Sequence, residues 1–168
     1  NGSIDQLIQY RENIGKIDAL IGAARASREL LITLADADVL FATNWQIQVE
    51  NLFQTIPYTG AVSPICMRYT ALHATASVVK GILKRKLKCH NEDIVSNFQA
   101  NQRFMRSVNW PLDTANEHSY PVISCNGVKA IMGAPHQVIT LRREIFFSTV
   151  PQSPSLLRMG GQSVVNYI

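Results

Sequence analysis

The 168-residue sequence has no apolar run of the roughly 18–20 residues that a membrane-spanning helix needs, so no span is expected. It does not open with the basic, apolar and small-residue succession of a secretory leader. Cysteine is scarce: Cys66, Cys89 and Cys125 are odd in number and widely spaced, which excludes a disulfide framework and suits a reducing cytoplasm. Charged residues are limited to 17% against 46% apolar, a globular balance that excludes a disordered or fibrous chain. Internal repeats and low-complexity segments are missing. Acid is in deficit, 12 Asp and Glu against 16 Lys and Arg, and no acid follows Glu144. Aromatic residues are not interleaved with the basic ones as stacking platforms would be, so nucleic acid is not an expected partner. What remains is a length that suits one domain with its own core, spanning 1–168.

Helix and strand signals alternate through the first part of the chain. After Gly15, the residues Ile17, Leu20, Ile21 and Ala24 recur at i, i+3, i+4 and i+7, the stripe of an amphipathic helix. Glu29 to Ala35 is continuously apolar after its first residue, and its Ile and Thr predict a strand buried on both faces. Thr43-Asn44-Trp45-Gln46 has the form of a capping box. The helix it would start carries Trp45, Val49, Leu52, Phe53 and Ile56 on one stripe, with Pro57 as a stop. Gly60 to Ile65 reads as a short strand. This alternation predicts an α/β fold with a central, mainly parallel sheet flanked by helices.

Further on, Thr70 to Lys88 reads as a long helix with Leu72, Ala76, Val79 and Leu83 on one face, and Asn91 to Val108 as a more polar one. Trp110 to Pro121 is loop-like, and 70–119 together would form a helical insertion on the sheet. Val122 to Cys125, Lys129 to Met132 and Val138 to Leu141 are predicted strands. The first two are joined at Asn126-Gly127, a hairpin signal. Ser148 to Pro154 is a break.

The most informative feature is Asp36-Ala37-Asp38 at the end of the run Leu30 to Ala35. Strand alternation puts positions i and i+2 on one side, so both carboxylates can converge on one ligand. Open sheets bind ligands outside the carboxyl ends of their strands. Hard cations such as Mg²⁺ take oxygen ligands and share them with substrate phosphates. The alternative is that Asp36 and Asp38 only end the strand and cap a turn.

The surroundings of the pair resemble the family 2 glycosyltransferases, which have a GT-A fold. The family order of Asn-x-Gly, an alanine-rich helix, a hydrophobic strand, Asp-x-Asp and a Trp-started helix is matched here by Asn13-Ile14-Gly15-Lys16, Ala19 to Ala26, Leu30 to Ala35, Asp36-Ala37-Asp38-Val39 and Trp45. The match covers roughly Arg11 to Pro64, with a looser one at Gly133 to Phe147, where the family often runs a glycine-led strand into an Arg-Arg-Glu helix start. Two positions depart from the pattern: Ile21 stands where an Asn is frequent, and Ala35 where a bulky residue usually precedes the Asp pair. The family's first βαβ unit and its late acidic pair are not found, so the chain reads as part of a GT-A-like domain.

The resemblance implies transfer of a sugar from a nucleotide-diphosphate-sugar donor to a saccharide or lipid-linked acceptor. It implies that Asp38 binds Mg²⁺ or Mn²⁺ bridging the donor diphosphate, and that Asp36 contacts the donor's ribose or a metal-bound water. His136 is a candidate third metal ligand, since some enzymes of this fold complete their metal shell with a late histidine; the alternative is a hydrogen-bonded loop residue after Pro135. Asn13, Gly15 and Lys16 form a loop before a helix, where glycine permits close backbone approach and the helix N-terminus can host an anion. They would face the donor, or form an ordinary capped turn with a solvated lysine. The resemblance identifies no catalytic base and does not support Glu144, the acid nearest the second motif, which is a candidate by position alone. A missing first unit would leave a sheet edge open to a partner chain or to another copy.

Three further groups carry chemistry. Lys80, Lys84, Arg85, Lys86 and Lys88 form the densest charge run. On a helix, Lys80, Lys84 and Lys88 would share a stripe that could lie on an anionic membrane surface, or simply be a solvated face. This supports an alternative class of function, a non-catalytic remnant or a basic module for polyanions or membrane. Arg142 and Arg143 could face a phosphate or form an exposed pair. Cys89, His90, His118 and Cys125 have the right atoms for zinc, but their spacing matches no zinc pattern.

Overall fold

A computed structural model describes residues 4, 6–65, 76–107, 109 and 118–150. Among them the chain forms, in order, α1 (Lys16–Ala26), β1 (Leu31–Ala35), α2 (Trp45–Thr55), β2 (Ala61–Val62), α3 (Ala76–Leu83), β3 (Lys88–Asp93), α4 (Val95–Ser107), β4 (Ser119–Cys125), β5 (Val128–Ile131), β6 (Val138–Arg142) and α5 (Ile145–Ser148). No described helix is long and apolar enough to cross a membrane.

The strands form two small sheets, ordered β1-β6-β2 and β3-β4-β5, and both are antiparallel. This overturns the expected central, mainly parallel sheet of GT-A type. The Arg143 N–H donates to the Leu30 carbonyl (2.8 Å) and the Asp36 N–H to the Gln137 carbonyl (3.1 Å), so the residues before one strand meet those after the other. Alternating helix and strand signals had suggested parallel crossovers. A strand's own sequence, however, carries no mark of the direction of its distant neighbour. In the second sheet, Lys88 to Asp93 lie opposite Ser124 to Ser119, and Cys125 opposite Val128. The hairpin falls on Asn126 and Gly127, whose φ values of 49° and 80° are both left-handed, as a two-residue turn between twisted strands demands.

The chain divides into two compact units. In the described part of Asn1–Leu34 with Leu141–Ile168, α1 turns Ile17, Ile21 and Ala24 inward and packs on α5, which supplies the fully buried Phe146. Arg25 of α1 donates to the carbonyls of Phe146 (2.9 Å) and Val150 (3.2 Å), satisfying groups at the end of the chain's last described helix. In Ala35–Thr140, Ile56, Leu87 and Ile123 are the buried centre of a cluster with Leu52, Val78, Ile82, Val128, Ala130 and Met132 packed around it. That cluster joins α2 and α3 to the face of β4 and β5.

Three local expectations differ from the structure. The run Glu29 to Ala35 was expected to be buried on both faces, but in β1 only Ile32 is buried and Leu30 is 84% exposed. The Thr43–Gln46 capping box does not form. Asn44 precedes α2 in a left-handed conformation (φ 64°) with no side-chain cap, and Gln46 donates instead to Glu50 one turn on (2.9 Å). The long helix expected to reach Lys88 ends at Leu83, and Lys88 and Asn91 belong to β3. The segment 70–119 therefore contains a strand of the second sheet between its two helices. Its residues 70–75, 108 and 110–117 lie outside the described ones, as do Cys66 and the 151–154 part of the predicted break.

Candidate functional site

Antiparallel pairing decides what accompanies the carboxylate pair. In a parallel sheet, the carboxyl end of β1 would lie beside the residues following a neighbouring strand. Here it lies beside those preceding β6, so the Asp36 N–H meets the carbonyl of Gln137 in the His136–Gln137 turn. The backbone hydrogen bond from Asp36 to Gln137 ties together segments separated by a hundred residues, both within Ala35–Thr140. Asp36 is half-buried at the strand end and Asp38 is exposed in the turn that follows. Pro135 is fully buried and His136 half-buried, so the turn carrying the histidine is anchored by the proline before it. Gly133 begins this turn with φ 111°, a value only glycine adopts without strain.

Two carboxylates have the oxygen chemistry of a hard divalent cation. Mg²⁺ is commonly held by one or two carboxylates, with substrate phosphates and waters completing the shell. Among the described residues no three His, Cys, Asp or Glu side chains gather as an all-protein metal cage would require. The donor set fits a cation shared with a diphosphate. It does not fit one bound by protein alone, and His136 does not complete a three-ligand cluster.

Beyond Asp38 the chain exposes apolar surface. Leu40 is almost wholly exposed, and Phe41 stacks on Trp45 with ring centroids 4.2 Å apart. The i, i+4 spacing of these two rings was the available signal for this platform, and only Trp45 had been singled out.

The candidates Asn13, Gly15, Lys16, Arg143 and Glu144 belong to the other compact unit. Asn13 accepts a hydrogen bond from the Gly15 N–H through Oδ1 (2.9 Å), and Gly15 begins α1 at φ 86°. The glycine requirement there is a turn geometry, and Lys16 is exposed at the helix start. Glu144 is exposed at the start of α5. Arg143 is half-buried: its Nε donates to the Ser27 carbonyl (2.7 Å), and its guanidinium lies 4.6 Å from the Phe147 ring centroid. It is therefore a bracing residue rather than a solvent-facing phosphate ligand.

The β3-β4 register sets Cys89 opposite Ile123 and His90 opposite Val122, while His118 packs edge-on against Phe98, so no zinc set forms among these residues. His90 and Lys129 both reach Glu92, at 3.1 and 2.7 Å. Their hydrogen bonds, that of Lys129 above all, hold the Glu92 carboxyl below its ordinary value.

The lysine run is arranged differently from a membrane-facing stripe. Lys88 is in β3, and it is Lys86 that joins Lys80 and Lys84 around the ring of Tyr58. Comparison with family models, curated proteins and solved structures gives no match to this chain.

Proposed function

We propose that this chain carries the donor site of a metal-assisted glycosyltransferase, in which Asp36 and Asp38 hold a nucleoside diphosphate sugar through a divalent cation. The reading is supported by the resemblance of roughly Arg11 to Pro64 to family 2 glycosyltransferases. The observation that carries it is the hydrogen bond from Asp36 to the Gln137 carbonyl, which joins the two segments that the resemblance had marked separately. Mg²⁺ or Mn²⁺, when bound, would neutralise charge developing on the nucleoside diphosphate leaving group.

The chain's own contribution is positional. Asp36, fixed by its backbone at the strand end, would contact the ribose or a metal-bound water, and the exposed Asp38 would offer its carboxylate to the cation. His136 stands at the neighbouring turn as a hydrogen-bonding group for the donor. The stacked pair Phe41 and Trp45 supplies an apolar surface three residues beyond Asp38.

Calorimetric titration with uridine, guanosine, adenosine and thymidine diphosphates and their sugar conjugates, with and without Mn²⁺, tests this directly. One nucleotide is expected to bind only with the metal. Asp38→Asn should weaken that binding at least roughly tenfold, as loss of a charge-assisted contact does. Metal-independent binding, or binding unchanged in Asp38→Asn, would contradict the proposal.

A further inference from the structure

We propose a phosphate-binding site outside the Asp36–Asp38 motif, formed by Lys80, Lys84 and Lys86 around Tyr58 and suited to a phosphomonoester dianion. Three ammonium groups lie 5.7, 5.4 and 5.4 Å from the centroid of one ring. All three lysines are exposed, and no ion pair with a carboxylate engages any of them among the described residues. Like charges gathered without a counter-charge repel one another, an arrangement that an anion relieves. The phenol of Tyr58 responds to the same field. Hydrogen bonding to Lys86 holds it below its ordinary value, partial desolvation acts the other way, and the charges of Lys84 and Lys86 add to the lowering.

The cluster is built by backbone geometry rather than by a passing coincidence of long side chains. Lys80 and Lys84 are one helical turn apart at the end of α3, with the Lys84 N–H donating to the Lys80 carbonyl (3.1 Å). Arg85 then takes a left-handed conformation (φ 55°), its N–H bonding to the Ile82 carbonyl (2.8 Å) and that of Lys86 to the Gly81 carbonyl (3.0 Å). This is the Schellman termination of a helix, with arginine where glycine is usual. It folds Lys86 back against the helix it has just left, beside Lys80 and Lys84.

Opposite them, Tyr58 is itself left-handed (φ 64°) in the turn after Pro57. A Cβ on Gly81 would lie 2.5 Å from Leu87 Cδ1, so the absent side chain is what lets Leu87 close on α3, and the Tyr58 ring lies in ordinary contact range at 3.6 Å. Two residues in a conformation that L-amino acids rarely adopt thus converge on one basic cluster, and such strain gathers at binding sites.

Ammonium groups act on phosphate as compact point charges with rotatable donors. A phosphomonoester brings about −1.5 to −2 charges and three strong acceptor oxygens at neutral pH, matching three lysines. A diffuse polyanion needs an extended groove, whereas these charges face a single point. The same chemistry is offered by a soluble phosphomonoester and by the headgroup of phosphatidic acid.

The test follows Tyr58 by alkaline spectrophotometric titration, using Tyr58→Phe to assign its share, at constant ionic strength in chloride and then with added inorganic phosphate or glycerol phosphate. Bound phosphate neutralises the lysine field and should raise the Tyr58 ionisation toward its ordinary value, saturably. The affinity should fall roughly tenfold for each lysine removed in Lys84→Gln and Lys86→Gln, and be unchanged in the exposed control Arg28→Gln.

Flotation with vesicles of equal parts phosphatidic acid and phosphatidylcholine, against phosphatidylserine in the same proportion, separates the sources. Binding to the phosphatidic acid vesicles alone, lost in Lys84→Gln and Lys86→Gln, supports a lipid phosphomonoester. Competition of that binding by glycerol phosphate supports a soluble one. Equal binding to both vesicle types, or a Tyr58 titration that responds to chloride as it does to phosphate, overturns the proposal.

Discussion

At the scale of single residues, several side chains that looked chemical in the sequence hold the fold. Arg143 is the clearest case. Its Nε closes on the Ser27 carbonyl and its planar head stacks over Phe147, so its charge is spent on positioning the chain that follows β6. Arg143→Ala should destabilise the protein by about 1–2 kcal/mol, the range for a hydrogen bond to a charged group with a stacking contribution. Arg143→Lys should recover little of it, because an ammonium cannot reproduce the stacked, directional contact. Chemical denaturation of the two variants checks this, and a lysine variant as stable as the wild type would contradict it. Asp38 stands in contrast to Arg143. Asp38 is exposed in a turn, so the folded state asks little of it, whereas ligand chemistry would account for its placement.

At the scale of elements, what could be read from the sequence was what is local. Asn126-Gly127 announced its hairpin because both left-handed positions are filled by residues that tolerate them. Val138 to Leu141 was legible as a strand, and all four of these residues, Thr140 included, are buried. The end of α3 was not legible. Its termination depends on a left-handed Arg85, and arginine carries no signal of that conformation; periodicity alone therefore carried the predicted helix on to Lys88. The same reasoning yields a paired expectation. Arg85→Gly should stabilise the fold by up to about 1 kcal/mol, since glycine relieves the left-handed strain while adding freedom to the unfolded chain. Gly127→Ala should cost about 1 kcal/mol at φ 80°, although a Cβ there would meet nothing within 4 Å. Thermal melts of both variants check the signs, and a destabilising Arg85→Gly would show that the Arg85 side chain makes a contribution larger than its strain.

At the scale of the whole molecule, the decisive fact is strand direction, and it is non-local. Apolar runs located β1 and β6 in the sequence but could not say that they run antiparallel, because pairing across a hundred residues leaves no periodic trace in either strand. That direction sets the residues after β1 beside the His136–Gln137 turn and sets Arg143 beside Leu30 at the other end. The candidate site was thus legible as residue types at Asp36, Asp38 and His136, and illegible as an arrangement. A cation shared between Asp36, Asp38 and a donor diphosphate would lie next to both segments at once. Paramagnetic broadening by Mn²⁺, read on the assigned amide resonances first with the metal alone and then with each nucleoside diphosphate, measures this most directly. The account predicts selective loss of signal at 36–38 and at 136–137 together, strengthened by one nucleotide and abolished in Asp38→Asn. Broadening that spares either segment, or that persists unchanged in Asp38→Asn, would contradict it.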